Sequence, residues 1–273
     1  MTSVLVVGAG VGGLTAARAL ARTGHEVVLA ERAPGPSAVG AGLVLTAAAV
    51  ARLGDLGVVL GDRALPLRDF ALAGPGGRRL GARGDRIAIA RPDLEAALLD
   101  GLAGQVDLRF GTRAEPVEVA GDRPVVRIGG STEAFDLVVG ADGIGSRLRE
   151  SVAPGAGRRP SGQVCWRGIV DLESDAATEL WTGVERIGTV PLPGRRTYVY
   201  VVRSSERPGP PASGPGAPLT PLPEHEARAL AAIDALPESE QLRHGLDELD
   251  RPVWGAGRVV LIGDAAHAIT PNL

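Results

Sequence analysis

Three stretches of this chain share one design: a short apolar run, a turn built from glycines and acids, and the start of a helical pattern. The first is Val4-Leu5-Val6-Val7, a β-branched run that reads as a parallel strand buried on both faces. Gly8-Ala9-Gly10-Val11-Gly12-Gly13 follows, then a helical pattern through Leu14, Ala17, Leu20 and Ala21 that stops at Gly24. A second strand, Glu26 to Ala30, leads to the acid Glu31, near the spacing at which a carboxylate takes ribose hydroxyls. In Gly8-x-Gly10-x-x-Gly13, Gly8 permits the tight turn, Gly10 lets a pyrophosphate approach the backbone, and Gly13 lets the helix pack close to the sheet. The helix N-terminus offers free N–H groups and a partial positive charge to a phosphate. This unit predicts a dinucleotide site and does not by itself choose between NAD and FAD.

The second such stretch is Phe135-Asp136-Leu137-Val138-Val139-Gly140-Ala141-Asp142-Gly143, running on to Arg149. An acid stands where a second phosphate loop would need a glycine. Such a carboxylate repels phosphate and accepts hydrogen bonds from sugar hydroxyls. The third is Arg258-Val259-Val260-Leu261-Ile262-Gly263-Asp264, with His267 close behind. Gly255-Ala256-Gly257 precedes that strand and is read as a turn.

Between these stretches, Gly40-Ala41-Gly42 is read either as backbone laid against a flat ligand or as a turn. Thr46 to Leu53 predicts a short helix with Thr46 as N-cap. Residues 69–73 and 78–80 flank Gly74-Pro75-Gly76-Gly77, a hairpin signal. Arg91-Pro92-Asp93 opens a helix whose Leu94, Leu98 and Leu102 give one buried face. Short strands are expected at 106–110, 117–119 and 125–128. From about residue 151 the pattern turns to antiparallel strands at 163–172, 186–192 and 197–202, where Tyr198 and Tyr200 share a face and are read as sheet packing. Residues 204–223 are dense in Pro and Gly, with Leu219 and Leu222 too few to anchor them. A helix is expected over 224–236.

Composition narrows the chemistry. Length 273 allows one large or two modest domains, and 44% apolar residues suffice for a core. All 29 basic residues are Arg, which excludes Schiff-base lysine chemistry and a Walker A loop. The single Cys165 excludes an internal disulfide, and the four scattered histidines make no ligand cluster. A net charge of −3 points to neither nucleic acid nor an anionic membrane. The apolar start lacks a basic segment, and no run is long enough to span a bilayer, so a cytoplasmic protein is expected.

Taken together, the three motifs resemble the FAD-dependent monooxygenases of the p-hydroxybenzoate hydroxylase type. Gly8, Gly10, Gly13 and Glu31 look like that family's ADP-binding motif. Asp142-Gly143 looks like its Asp-Gly motif, and Gly263-Asp264 like its Gly-Asp motif, whose Asp holds the ribitol or ribose. Trp166-Arg167-Gly168 matches the opening strand of its substrate sheet. The resemblance implies an α/β fold: a Rossmann-like FAD-binding domain of the GR2 type (1–68, 84–158 and 246–273) with an inserted antiparallel-sheet substrate domain (69–83 and 159–245). It implies cofactor contacts from Gly8, Gly10, Val11, Gly12, Gly13, Glu31, Arg32, Gly42, Arg91, Asp142, Gly143, Gly263, Asp264 and Pro271, with no catalytic side chain and no metal. His267, beside the cofactor, is expected to support a helix start. The implied reaction uses bound FAD, transient NAD(P)H and O2, and passes through a flavin C4a-hydroperoxide. It hydroxylates or epoxidises a small apolar or aromatic molecule lying between the sheet and the flavin.

The family continues past Pro271-Asn272-Leu273 into a glycine turn and a long helix facing the flavin. Their absence here leads to the expectation of a shortened chain whose uncovered surface favours association. Two rival functions follow: an FAD-binding protein without activity of its own, and an NAD(P)-dependent reductase, which leaves Gly263-Asp264 unexplained. A flavin halogenase is a weaker option, because Trp-x-Trp-x-Ile and Lys are missing.

Overall fold

The strand β1, Ser3–Val7, is a continuous apolar run because it is covered on both faces: Val4, Leu5 and Val6 are at most 1% exposed. The computed structural model describes residues 1–36, 40–74, 79–115, 118–120 and 123–270. Helix α1, Val11–Arg22, buries Gly13, Leu14 and Ala17 and gives way at Gly24, whose φ of +83° suits glycine. It leads into β2, Glu26–Ala30, which pairs in parallel with β1. On the other side of β1 lies Leu137–Gly140, then Val259–Leu261, both parallel. Asp107–Arg109 flanks β2, and Gly255–Ala256 folds back antiparallel on Val259–Leu261, as the turn reading requires.

The core of this unit joins Leu5, Val138, Val259 and Leu261 to Phe135, Leu148, Ala265 and Ala266. A small sheet of Glu118–Ala120, Arg123–Ile128 and Ser131–Ala134 adds Val126 and Ile128. The start of the sheet is tied by Asp136, whose carboxylate accepts the Ser3 N–H at 2.9 Å and hydroxyl at 3.1 Å. Those bonds favour the ionised form and hold its pKa below the ordinary carboxylate value.

The second unit is built on an eight-stranded sheet. Its order is Leu242–Leu249, Arg158–Val170, Arg196–Ser204, Glu185–Leu192, Ala177–Trp181, Ala64–Ala73, Arg79–Ala90, Gly42–Thr46. Ala177–Trp181 meets Ala64–Ala73 in parallel, while its pairing with Glu185–Leu192 is antiparallel. The helix Glu224–Asp234 lays Ala229, Leu230 and Ile233 on Ile187, Val199 and Val201. Helix Ala47–Asp55 is capped as expected: Thr46 Oγ1 accepts the Ala49 N–H at 3.3 Å.

The compact units divide the chain differently from the expected domains. One is Met1–Pro36, Glu95–Arg159 and Asp247–Leu273; the other is Ser37–Leu94 and Pro160–Leu246. Residues 40–68 and 84–94 therefore group with the second unit, because the strands Gly42–Thr46, Ala64–Ala73 and Arg79–Ala90 extend its sheet. The 69–80 hairpin forms, with Ala73 opposite Arg79; its Pro75–Gly77 turn lies outside the described residues.

The Pro/Gly-rich stretch after Ser204 is held by polar contacts in addition to Leu222, which packs against the core under the helix Glu224–Asp234, and this corrects the expectation that it is not firmly anchored. Arg203 donates to the carbonyls of Pro215 and Ala217, the Trp166 indole to that of Ser213, and Arg243 to that of Ala212. Arg203 also pairs with Glu185 at 2.8 Å, and Glu185 accepts the Leu219 N–H at 2.9 Å. The Glu185 side chain is 0% exposed and that of Arg203 12%, so removing one partner strands a buried charge. Arg203→Met is expected to cost about 3–5 kcal/mol, and the double change Glu185→Gln/Arg203→Met distinctly less. Urea unfolding of the two variants checks this.

Candidate functional site

The parallel register determines where the motifs meet. Ala30 stands opposite Val7, Val7 opposite Gly140, and Gly140 opposite Leu261. The residues that leave these four strands are Glu31, the glycine loop, Ala141-Asp142 and Ile262-Gly263-Asp264. Three segments far apart in sequence thus emerge side by side at the carboxyl edge of one sheet, where ligands bind in open α/β folds.

At the centre, Gly8 has φ +103°, and a Cβ there would stand 2.4 Å from the Ala141 carbonyl oxygen. A Cβ on Gly13 would stand 1.8 Å from the Gly8 carbonyl oxygen. The first glycine therefore seats the Asp-Gly strand and the third seats α1 against the loop. Gly10 is the N-cap of α1; Val11, Gly12 and Gly13 form its first turn, and no side chain among the described residues caps it. Its leading N–H groups are left for a ligand.

Glu31 braces this loop. Its Oε2 accepts the Ala9 N–H and its Oε1 the Ala33 N–H, both at 2.8 Å. A carboxylate has about four acceptor positions, so two hydroxyls can still be taken. Asp142 is arranged likewise: Oδ2 accepts the N–H of Arg147 at 2.9 Å, while Oδ1 is buried with no hydrogen-bond partner among the described residues. A buried acceptor without a partner is costly and marks a place for a ligand hydroxyl. Gly143 follows with φ +79°. Gly263, with φ +57° and ψ −141°, turns the third strand into the short helix Asp264–His267, and Asp264 is exposed in its first turn.

Arg149 links two of these motifs, and the sequence reading gave it no role. It is 4% exposed, and its guanidinium donates to the carbonyl of Ile144, after the Asp-Gly motif, at 2.6 Å and to that of Ala265, after the Gly-Asp motif, at 3.0 Å. Burial lowers its pKa. An Arg seven positions after an Asp in a helix start is the signal that would have found it.

The remaining expected residues are placed as follows. Arg32 is exposed beside Glu31. Gly42 and Arg91 belong to the second unit. Arg91 begins the helix Arg91–Leu99, and its N–H bonds the Ala41 carbonyl at 2.8 Å. A Cβ on Gly42 would lie 2.6 Å from the Tyr198 side chain, so this glycine makes room for a ring of its own unit. Pro271 lies outside the described residues. His267 ends its helix rather than starting it, with its ring 5.1 Å from that of the exposed Trp254. Among the described residues no group of three or more metal-ligating side chains forms, and no helix is long and apolar enough to cross a membrane.

An uncapped helix N-terminus and the carboxylates of Glu31, Asp142 and Asp264 together offer the N–H donors and acceptors that the phosphates and hydroxyls of a nucleotide such as FAD require. Gly13→Ala is expected to abolish FAD uptake, since the clash is with rigid backbone; the flavin absorbance of purified protein checks it. Glu31→Gln replaces one acceptor oxygen by a donor facing a backbone N–H. It is expected to cost about 1–3 kcal/mol of stability and to weaken FAD binding, read from thermal unfolding and flavin titration.

Comparison with known proteins identifies the family and its cofactor. The family model described as FAD binding domain matches residues 1–273. The chain is 34% identical to the 2-heptyl-3-hydroxy-4(1H)-quinolone synthase of Pseudomonas aeruginosa strain UCBPP-PA14, over 99% of this chain and 76% of that protein. It is 32% identical to the 3-hydroxybenzoate 6-hydroxylase of Polaromonas naphthalenivorans strain CJ2, over 98% of this chain and 73% of that protein. The crystal structure of Klebsiella pneumoniae HpxO complexed with FAD and uric acid superposes with a TM-score of 0.79 at 26% identity, covering 99% of this chain and 74% of that one. The chain belongs to the FAD binding domain family and is an oxidoreductase of the flavin-dependent monooxygenase type.

Proposed function

We propose that this chain holds FAD along the carboxyl edge of its parallel sheet and uses NAD(P)H and O2 to hydroxylate a small aromatic or heteroaromatic molecule. The observation that carries this reading is the register in which Ala30, Val7, Gly140 and Leu261 align, delivering three nucleotide motifs to one edge. In this reading the N–H groups of Gly10 to Gly13 take the pyrophosphate and Glu31 the adenosine ribose. Asp142 Oδ1, with Asp264, takes hydroxyls of the ribityl chain. Arg149 keeps the two acids at a set spacing through the carbonyls of Ile144 and Ala265. Bound FAD would supply the electron transfer and the oxygen activation, which explains why no nucleophilic side chain is needed.

The second unit supplies the substrate's wall. Its sheet face opposite the helix Glu224–Asp234 carries Ala177, Val190, Leu192 and Tyr198, each at most 7% exposed, a packed apolar layer that would help keep water from the reaction. The compounds that appear in the names of these relatives and in the HpxO complex are likewise small ring compounds. Consumption of NAD(P)H fits a cytoplasmic location.

The visible spectrum of the purified chain tests the reading. Uptake of FAD near one equivalent, followed by NAD(P)H oxidation in air that rises with a ring substrate and yields an oxygenated product, is the expected outcome. A chain that remains colourless after FAD addition overturns it.

A further inference from the structure

The chain holds only two Tyr and three Trp. Both tyrosines and one tryptophan gather on the sheet face of the second unit opposite Glu224–Asp234. Side chains two apart in a strand share a face, so Tyr198 goes with Tyr200 and Glu179 with Trp181. The register lays Glu179 beside Gly188 and Gly188 beside Tyr200, with Trp181 and Arg186 paired in the next row. The Tyr200 ring abuts the apolar layer, its centre 5.6 Å from that of Tyr198. Its hydroxyl donates to Glu179 Oε2, and the Trp181 indole N–H donates to Glu179 Oε1. One carboxylate therefore joins a half-buried phenol to an indole that is 39% exposed.

The fold gains little from this line. Gly188 sits inside a strand, which a glycine weakens; a Cβ there would stand 2.0 Å from Cζ of Tyr200. Its absence lets the ring cross the intervening strand to a carboxylate two strands away. Glu179 is 3% exposed, and a buried carboxylate is less favourable than apolar packing. Burial and the charge of Glu179 both raise the Tyr200 pKa, so the phenol keeps its proton. A protonated phenol gives up an electron readily only when its proton leaves with it, and Glu179 Oε2 is the base in place. The Arg186 guanidinium lies 4.7 Å from the centre of the Trp181 ring and opposes a positive charge there. An oxidised Trp181 must likewise shed its N–H proton, and Glu179 Oε1 is placed to take it.

We infer that Tyr200, Glu179 and Trp181 form a radical outlet, a line that carries stray oxidising equivalents from the reaction face to the protein surface. The inference rests on the reading that O2 is activated beside this face. An oxygen-centred radical from incomplete O2 reduction takes one electron from Tyr200 and becomes an anion that water protonates, while the phenolic proton moves to Glu179. Trp181 then returns an electron to the Tyr200 phenoxyl, Glu179 gives the phenolate its proton back, and the indole proton passes to Glu179. A soluble thiol at the surface finally reduces Trp181, which recovers its proton from Glu179; the thiol leaves as a thiyl radical and its proton goes to water. The net change is one oxygen radical and one thiol converted to a hydroxyl compound and a thiyl radical, with all three side chains restored. The two ring types are oxidised at similar cost, so the radical rests on the phenol and is drained through the indole.

Pulse radiolysis of the full chain tests the line without calling on the cofactor. Azide radicals oxidise exposed indoles, and the absorbance of the indolyl radical is expected to decay as that of a tyrosyl radical grows, at a rate independent of protein concentration. Trp181→Phe and Tyr200→Phe, which keep a ring in each place, are each expected to lose this conversion. Glu179→Gln, which accepts both hydrogen bonds but not a proton, is expected to slow it. Trp254→Phe, in the other unit, is expected to keep it. No conversion in the parent chain, conversion that survives in Tyr200→Phe, or an unchanged rate in Glu179→Gln overturns the inference. In a second arm the FAD-saturated chain oxidises NAD(P)H in air with glutathione and no ring substrate. Trp181→Phe is expected to start at the parent's rate and to fail after fewer turnovers; equal lifetimes overturn the protective role. Radical transfer without NAD(P)H oxidation leaves the line standing and rejects the reaction, and NAD(P)H oxidation without radical transfer does the reverse.

Discussion

Parallel pairing of β1 with its two neighbours is the constraint on which the rest depends. Parallel strands leave a sheet on the same side, so whatever follows them in sequence is delivered to one edge. Val7, Gly140 and Leu261 are mutually in register, and a slip of one residue would move Asp142 or Asp264 about 3.3 Å along the edge and turn its side chain to the other face. The apolar content of these strands is therefore a positional device as well as a core. Leu5, Val138 and Val259 are buried so that the glycine loop and two acids, Asp142 and Asp264, arrive together.

The same groups that shape the edge are those it would offer to a ligand. Glu31 and Asp142 each use backbone N–H groups to fix their own loops and keep acceptor capacity in reserve. This is preorganisation: the carboxylates are ordered before anything binds, and the ordering entropy is not charged to the ligand. Arg149 extends the principle to the spacing between two loops, with the carbonyls of Ile144 and Ala265 as fixed points.

The nucleotide half of the molecule was legible in the sequence because its determinants are local. A β-branched run, glycines at set offsets and an acid after the next strand are all read within some thirty residues, roughly one βαβ unit. The second half was only partly legible. The strands Ala177–Trp181 and Leu242–Leu249 carry buried or half-buried acids that break the apolar alternation, and what keeps them in the sheet lies on other strands. Glu226 faces the core from a helix that reads as surface at that position, and Thr178 reaches it at 3.4 Å. Gly42, read as a ligand-facing backbone or a turn, and Gly188, inside an expected strand, prove to be the floor beneath Tyr198 and Tyr200. Pairings of that kind depend on contacts between distant segments, which no window along the chain contains.

The segment after Ser204 has a further consequence for how this chain can change. Arg203, Trp166 and Arg243 grip it by the carbonyls of Pro215, Ala217, Ser213 and Ala212, and not by the side chains of those residues. Every residue type presents the same carbonyl, so identities along the strap can drift outside its constrained glycines, Gly209 and Gly216 at positive φ and Gly214, where a Cβ would stand 2.4 Å from Asp234 Oδ1. The burden of conservation falls on the side chains that hold it, Glu185 and Asp234 among them through the N–H groups of Leu219 and Gly216, and the strap's other side chains can be rewritten by evolution without loosening it.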